Sequence, residues 1–132
     1  ISLPALSGMP SPIGELLLRD QSVALVAADD RPLTIAGDVY SPFVDQRTGR
    51  PVEGVEGVAV RTLEGLDAQA LAAGLFILGT RQGQLRVGGV RPEPGVLWVL
   101  GSGAGEPLLV EYHWSATAPK GAPPPAVAPR QP

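Results

Sequence analysis

LEGLDAQALAAGLFILGTRQGQLRVGGV, residues 63–90, is the stretch on which the fold turns. Leu63 to Ala73 is the one helical candidate of the chain, with Asp67 placed to cap Ala68 to Ala73 and Gly74 standing where a helix would stop. That spacing predicts a helix of about two turns. Leu75 to Thr80 (LFILGT) is a short apolar run bounded by glycine, and Gln84 to Val90 (QLRVGGV) follows turn chemistry at Arg81-Gln82-Gly83, so both are predicted strands. A parallel α/β sheet needs helices of about 10–15 residues between its strands, and on this reading they are missing. The expectation is a mainly β chain.

The flanks extend the same pattern. Toward the C-terminus, Val96 to Leu100 (VLWVL) and Leu108 to Trp114 (LLVEYHW) are predicted strands joined by the flexible Gly101 to Gly105 loop. Toward the N-terminus, Glu15 to Arg19, Ser22 to Ala28 and Leu33 to Tyr40 each read as one strand, with Asp29-Asp30-Arg31-Pro32 as a turn. Asp45 to Gly49 is a loop in which Gly49 supplies a positive φ. An extended stretch carrying Val52, Val55, Val58 and Val60 runs to Thr62, and its glycines at 54 and 57 predict a bulge. About seven to eight short strands with one short helix imply a single β-sandwich or small barrel.

Proline marks the boundaries. Residues 15–116 hold six of the fifteen prolines, and residues 117–132 hold another six. The predicted organisation is an extended N-terminal arm over residues 1–14, a β domain over 15–116 and a proline-rich C-terminal tail over 117–132. The tail is expected to be polyproline II, already stiff and cheap to order on a partner.

Residues Thr34 to Val60 (TIAGDVYSPFVDQRTGRPVEGVEGVAV) resemble modules of the transthyretin-like, carboxypeptidase-regulatory type, bacterial immunoglobulin-like modules included. Gly37, Val39, Asp45, Thr48, Gly49, Pro51, Val52, Gly54 and Val55 carry the likeness, while Glu56-Gly57 departs from the pattern. The resemblance implies a seven-stranded sandwich used as a spacer or adhesive module, and it brings no catalytic residues.

Composition narrows the functional classes. Charged residues are only 17%, against about 25% in ordinary soluble domains. A weakly charged surface is cheaper to bury against a partner. The formal charge of −3 opposes nucleic-acid binding, which needs a basic stripe to displace counterions. No apolar run approaches the roughly 18–20 residues of a membrane span, and no charged segment precedes an apolar leader core. With no cysteine there is no thiolate chemistry, disulfide or Cys-ligated metal.

The remaining chemical groups are read as structural. His113, the one histidine, is expected on the strand face opposite Tyr112 and Trp114. Asp29, Asp30, Asp38 and Asp45 lack the alternation of a calcium loop and read as turn formers. Glu53 and Glu56 are not singled out as a carboxylate pair, and GSGAG at 101–105 lacks the spacing of a phosphate loop. Trp98 is expected in the core and Trp114 as an exposed contact. Neither a cofactor nor a metal is expected.

The expectation for function is a non-catalytic structural protein: an accessory subunit, such as a capsid-decorating or tail- or fibre-associated component, of a virion or other extracellular or cell-surface assembly. Its partners would be other protein subunits, copies of itself included, with no nucleic acid and no membrane span. Leu3, Leu6, Met9 and Ile13 on the arm would hold it to neighbours together with Trp114. On the tail, Pro123, Pro124, Pro125, Val127 and Pro129 would do the same. The alternative is a secreted carbohydrate- or ligand-binding β-sandwich module using Trp114.

Overall fold

The computed structural model describes residues 1–101 and 105–114. Along the chain, β1 (Ser2–Leu3) pairs antiparallel with β2 (Gly14–Glu15), and β3 (Ser22–Ala27) follows. Two small hairpins come next, β4 (Leu33–Ile35) with β5 (Asp38–Tyr40) and β6 (Val44–Asp45) with β7 (Arg50–Pro51). β8 (Val55–Thr62) leads into α1 (Gly65–Val87), then β9 (Gly95–Leu100) and β10 (Leu108–Tyr112). The principal sheet has four antiparallel strands in the order β10-β9-β8-β3.

Strand alternation divides the core in two. Val58 and Val60 of β8 face α1 with Val96 and Trp98 of β9, and they meet Ala72, Leu75, Phe76 and Val87 from the helix. Ala59, Leu97 and Val99 point to the other face, where Leu3, Leu6, Ile13, Leu16 and Trp114 cover them. The two central strands are thus buried on both faces, which is why VAV and VLWVL read as continuous apolar runs rather than alternating ones. Burying each such side chain contributes about 1.5–3 kcal/mol relative to leaving it exposed. The predicted bulge is present: the β8–β9 register shifts between Val55 and Gly57.

The helix departs most from expectation. It runs 23 residues, replacing the short 63–73 helix and both predicted strands, Leu75 to Thr80 and Gln84 to Val90. Its buried positions are Ala68, Ala72, Leu75, Phe76, Gly83 and Val87, spacings that gather on one face only at a helical period. Gly74 does not end it; the space around that position is open, and an interior glycine costs only about 1 kcal/mol, which packing of the opposite face outweighs. Gly79 breaks it for a single residue, at φ 71° and ψ −175°, after which the helix resumes. Gly83 is required by close approach, since a Cβ there would lie 2.7 Å from Cζ2 of Trp98. The Trp98 indole N–H donates to the Leu75 carbonyl at 3.3 Å and ties the helix to β9. Nor is Asp67 the cap: Glu64 holds that position in extended conformation, without a side-chain bond, and Asp67 sits in the first turn.

Other segments also differ. Leu33 to Tyr40 is a hairpin rather than one strand, because Ala36 and Gly37 take φ of 52° and 89° and close a two-residue turn between Ile35 and Asp38. The predicted strand Glu15 to Arg19 is reduced to β2. Residues 1–14 fold back as the β1–β2 pair, with Leu3, Leu6 and Ile13 inside the second core. The Asp45 to Gly49 turn forms as expected, Gly49 at φ 68° donating its N–H to the Asp45 carbonyl at 2.7 Å. Phe43 and Val52 anchor that hairpin, the Phe43 ring lying 4.8 Å from the ring of Phe76.

The chain is therefore mainly β with one helix, and the described residues form no closed barrel. The expected sandwich is absent because a helix, not a second sheet, covers one face of the four-stranded sheet.

Candidate functional site

A cavity of about 420 Å³ opens beside the start of α1. Its floor is made where β8 ends: Thr62 donates its hydroxyl to the Glu64 carbonyl at 2.6 Å, turning the chain out of the sheet and into the helix. The Ala68 N–H then bonds the same carbonyl at 3.1 Å. One wall is the first two turns of α1, with Asp67, Ala70 and Leu71. The opposite wall is the segment that leaves the far end of the helix, with Val90, Arg91 and Pro92.

This lining is chemically mixed. Leu63, Leu71, Val90 and Pro92 supply apolar surface, while Glu64, Asp67 and Arg91 bring two carboxylates and one guanidinium to the rim. Arg91 is held in place by its own backbone: Nη1 donates to the Gly88 carbonyl at 2.9 Å and to the Val90 carbonyl at 2.7 Å. Its remaining nitrogens belong to the planar fork that suits carboxylate or phosphate oxygens. The volume falls within the roughly 300–1,000 Å³ usual for small-molecule sites, and a few polar groups among apolar walls are their ordinary composition.

None of these residues stood out as functional in the sequence. Asp67 read as a cap and Arg91 as part of a turn. At least nineteen positions separate the two walls, and an unbroken helix would hold its ends about 30 Å apart, so it is the non-helical backbone at Gly79 that lets both ends of α1 line one cavity. The missed signal was the acidic LEGLD start followed, one long helix later, by RPEP.

The residues that were singled out lie elsewhere. Leu3, Leu6 and Ile13 are buried in the chain's own second core, with Met9 packed beside it. Pro123, Pro124, Pro125, Val127 and Pro129 lie outside the described residues. Trp98 is in the core as expected. Trp114 is not exposed but 7% accessible, and its indole N–H has no acceptor among the described residues. His113 adopts φ 47°, which breaks the strand alternation there. Tyr112 consequently packs on the helix face and Trp114 on the other, instead of sharing one face. The His113 side chain is exposed, its Nε2 standing 3.5 Å from the Glu93 carboxylate.

The aspartates shape turns. Asp30 accepts the Ala27 N–H at 3.0 Å. Asp45 accepts from the Arg47 side chain at 2.8 and 3.0 Å and from its backbone N–H at 2.9 Å. The Arg47 guanidinium, then its backbone N–H, hold the Asp45 carboxyl below its ordinary range. No three His, Cys, Asp or Glu side chains converge among the described residues.

The sequence profile of the ApbE family matches residues 1–89, from β1 to just past the end of α1. Two of the solved structures that share the fold illustrate the likeness. The flavinyl transferase ApbE of Pseudomonas stutzeri, in its apo form, superposes with a TM-score of 0.61 at 21% identity, over 84% of this chain and 33% of that one. The ApbE protein of Thermotoga maritima superposes with a TM-score of 0.54 at 24% identity, over 69% of this chain and 28% of that one. This chain thus spans about a third of their length. No curated protein matches it.

These matches overturn three expectations. The likeness of Thr34 to Val60 to transthyretin-like and immunoglobulin-like modules is one of local turn chemistry; those residues form two hairpins that feed a helix-backed sheet in an ApbE-family chain. The expected capsid-decorating or other virion subunit gives way to a family whose solved members include a flavinyl transferase. The expectation of a non-catalytic chain falls with it. It rested on counting acids, bases and nucleophiles in these residues, and such a count cannot bound the chemistry of structures three times as long.

Proposed function

The chain belongs to the ApbE family, and from that membership we propose that it is part of an enzyme that transfers a flavinyl group, with the cavity beside α1 taking the flavin-bearing substrate. The observation that carries the reading is the family match over residues 1–89, which takes in every element from β1 through α1. The cavity adds a place of suitable size and mixed polarity.

In such a transfer the bond between the flavinyl group and its donor breaks, a bond to the acceptor forms, and the acceptor's nucleophile gives up a proton. Arg91 is suited to hold a phosphate of a flavin nucleotide, because its fork is already oriented by the Gly88 and Val90 carbonyls. Asp67 and Glu64, across the rim, are the nearby carboxylates suited to receive a proton. Leu71, Val90 and Pro92 offer apolar contact for a ring system and exclude water from it.

Titration of the purified chain with flavin mononucleotide, followed by quenching of flavin fluorescence, tests this reading. Saturable binding is expected, lost when Ala70→Trp fills the cavity and weakened about tenfold or more by Arg91→Ala, which removes a charge-assisted phosphate contact. Binding that survives Ala70→Trp unchanged would place the flavin elsewhere. No binding by the unaltered chain would sink the reading.

A further inference from the structure

The segment between α1 and β9 builds one wall of the cavity, and among the described residues the hydrogen bonds of its wall residues stay within the segment and the helix end. Among the described residues Arg91 bonds only to carbonyls of its own segment, so the pair of bonds stiffens the turn without tying it to the sheet. Val90 and Gly89 donate back to Val87 and Arg86 at 3.0 and 3.3 Å, which continues the helix end and again stays local. Pro94 is fully buried and secures the far end. Between these points a side-chain contact reaches the body of the domain: the Tyr112 hydroxyl, on the edge strand β10, donates to Oε1 of Glu93 at 2.9 Å.

The same hydroxyl lies against the start of the segment, since a Cβ on Gly88 would come within 3.7 Å of it. One phenol group therefore bonds the segment at Glu93 and stands near its start at Gly88. Tyr112 is itself rooted, packed on the helix-side core and paired in register with Val96 of β9. The exposed His113 imidazole stands 3.5 Å from the same Glu93 oxygen and presses its ring against Tyr112, centroids 4.5 Å apart.

We propose that Glu93 and Tyr112 are positioning residues: their hydrogen bond pins the 88–94 segment to β10 and so sets the distance of Arg91 and Pro92 from Asp67 across the cavity. Neither touches the cavity itself. The pin acts through Arg91, two residues from Glu93, and governs how tightly a phosphate-bearing flavin is held. The inference rests on the cavity being the flavin site.

The test compares Tyr112→Phe, Glu93→Ala and Glu93→Gln with the unaltered chain in two measurements. Flavin mononucleotide affinity is expected to fall about three- to tenfold in Tyr112→Phe and Glu93→Ala, the scale of one net hydrogen bond. Glu93→Gln keeps an acceptor oxygen for the phenol and should retain near-normal affinity, a rescue that a loss of packing would not show. Amide exchange should quicken at Gly88, Gly89 and Val90, whose N–H groups bond back to the helix end, in the two disrupted variants and stay unchanged in β8. Unchanged exchange in that segment, or Glu93→Gln as defective as Glu93→Ala, overturns the proposal. If the unaltered chain binds no flavin, the functional reading fails first and takes the affinity effect with it; if it binds and the variants bind equally well, the pin alone fails.

Discussion

The four-stranded sheet and the β4–β5 hairpin are both antiparallel β-structure carrying Val, Leu and Tyr, yet their surroundings are opposite. Val58, Val60, Val96 and Trp98 have no accessible surface, held between the helix and the sheet, while Leu97 and Val99 are covered from the other side. Every residue from Arg31 to Tyr40 is exposed, and Leu33, Ile35 and Val39 keep 54–69% of their surface accessible. The strand pattern thus reports backbone conformation; burial is decided by what the rest of the chain lays on top. A two-stranded ribbon with nothing on either face has little to hold it beyond its own ladder and turn.

The largest consequence is a difference in sensitivity. Trp98→Ala should cost about 3–5 kcal/mol, through lost burial and the cavity left behind. Ile35→Ala in the hairpin should cost less than about 0.5 kcal/mol. Denaturant unfolding of the two variants checks this, and comparable losses would break the contrast. A smaller effect sharpens it. Gly83→Ala adds one methyl where the Trp98 ring already stands, so a destabilisation of about 1–3 kcal/mol is expected from overpacking. A neutral result in thermal unfolding would mean that helix and sheet separate more easily than their packing implies.

The smallest effect concerns the β6–β7 turn, which contributes through exposed polar bonds. The Asp45 pKa is lowered in the folded chain, so whatever stability the carboxylate confers is present above its unfolded pKa and lost as pH falls through the lowered value. An NMR titration should find Asp45 ionising below the ordinary aspartate range, and Arg47→Ala should move it part of the way back, since the backbone N–H of residue 47 still donates to the carboxylate. A normal Asp45 titration in the unaltered chain would remove the turn's electrostatic support.

The sheet was legible because its strands carry their own evidence. Ser22 to Ala28, the extended stretch from Val52 to Thr62, VLWVL and LLVEYHW all read as strands, and each contains one, β10 stopping at Tyr112. The Gly54 and Gly57 spacing even located the bulge. The helix was not legible, because LFIL is strand-like locally and glycines at 74, 79 and 83 read as punctuation. Its identity depends on long-range packing, above all on Trp98 arriving beneath Gly83. The Ala36-Gly37 turn was missed because alanine at positive φ has no local signature. The cavity inherits the helix problem: Asp67 and Arg91 line it together only because α1 breaks at Gly79, a residue that read as part of a strand. The enzymatic reading lay beyond composition altogether, since it came from family membership.

Gly79 makes α1 two rods rather than one, and each rod leads to one side of the cavity. The near rod carries Asp67, Ala70 and Leu71, one jaw of the cavity; the far rod ends at Val87 and delivers Val90, Arg91 and Pro92, the other jaw. The arm from Gly79 to Val87 is about 12 Å long at 1.5 Å per residue, so a change of about 5° in the bend displaces its tip by about 1 Å. The relative placement of the two jaws thus depends in part on the backbone of one residue that lines neither.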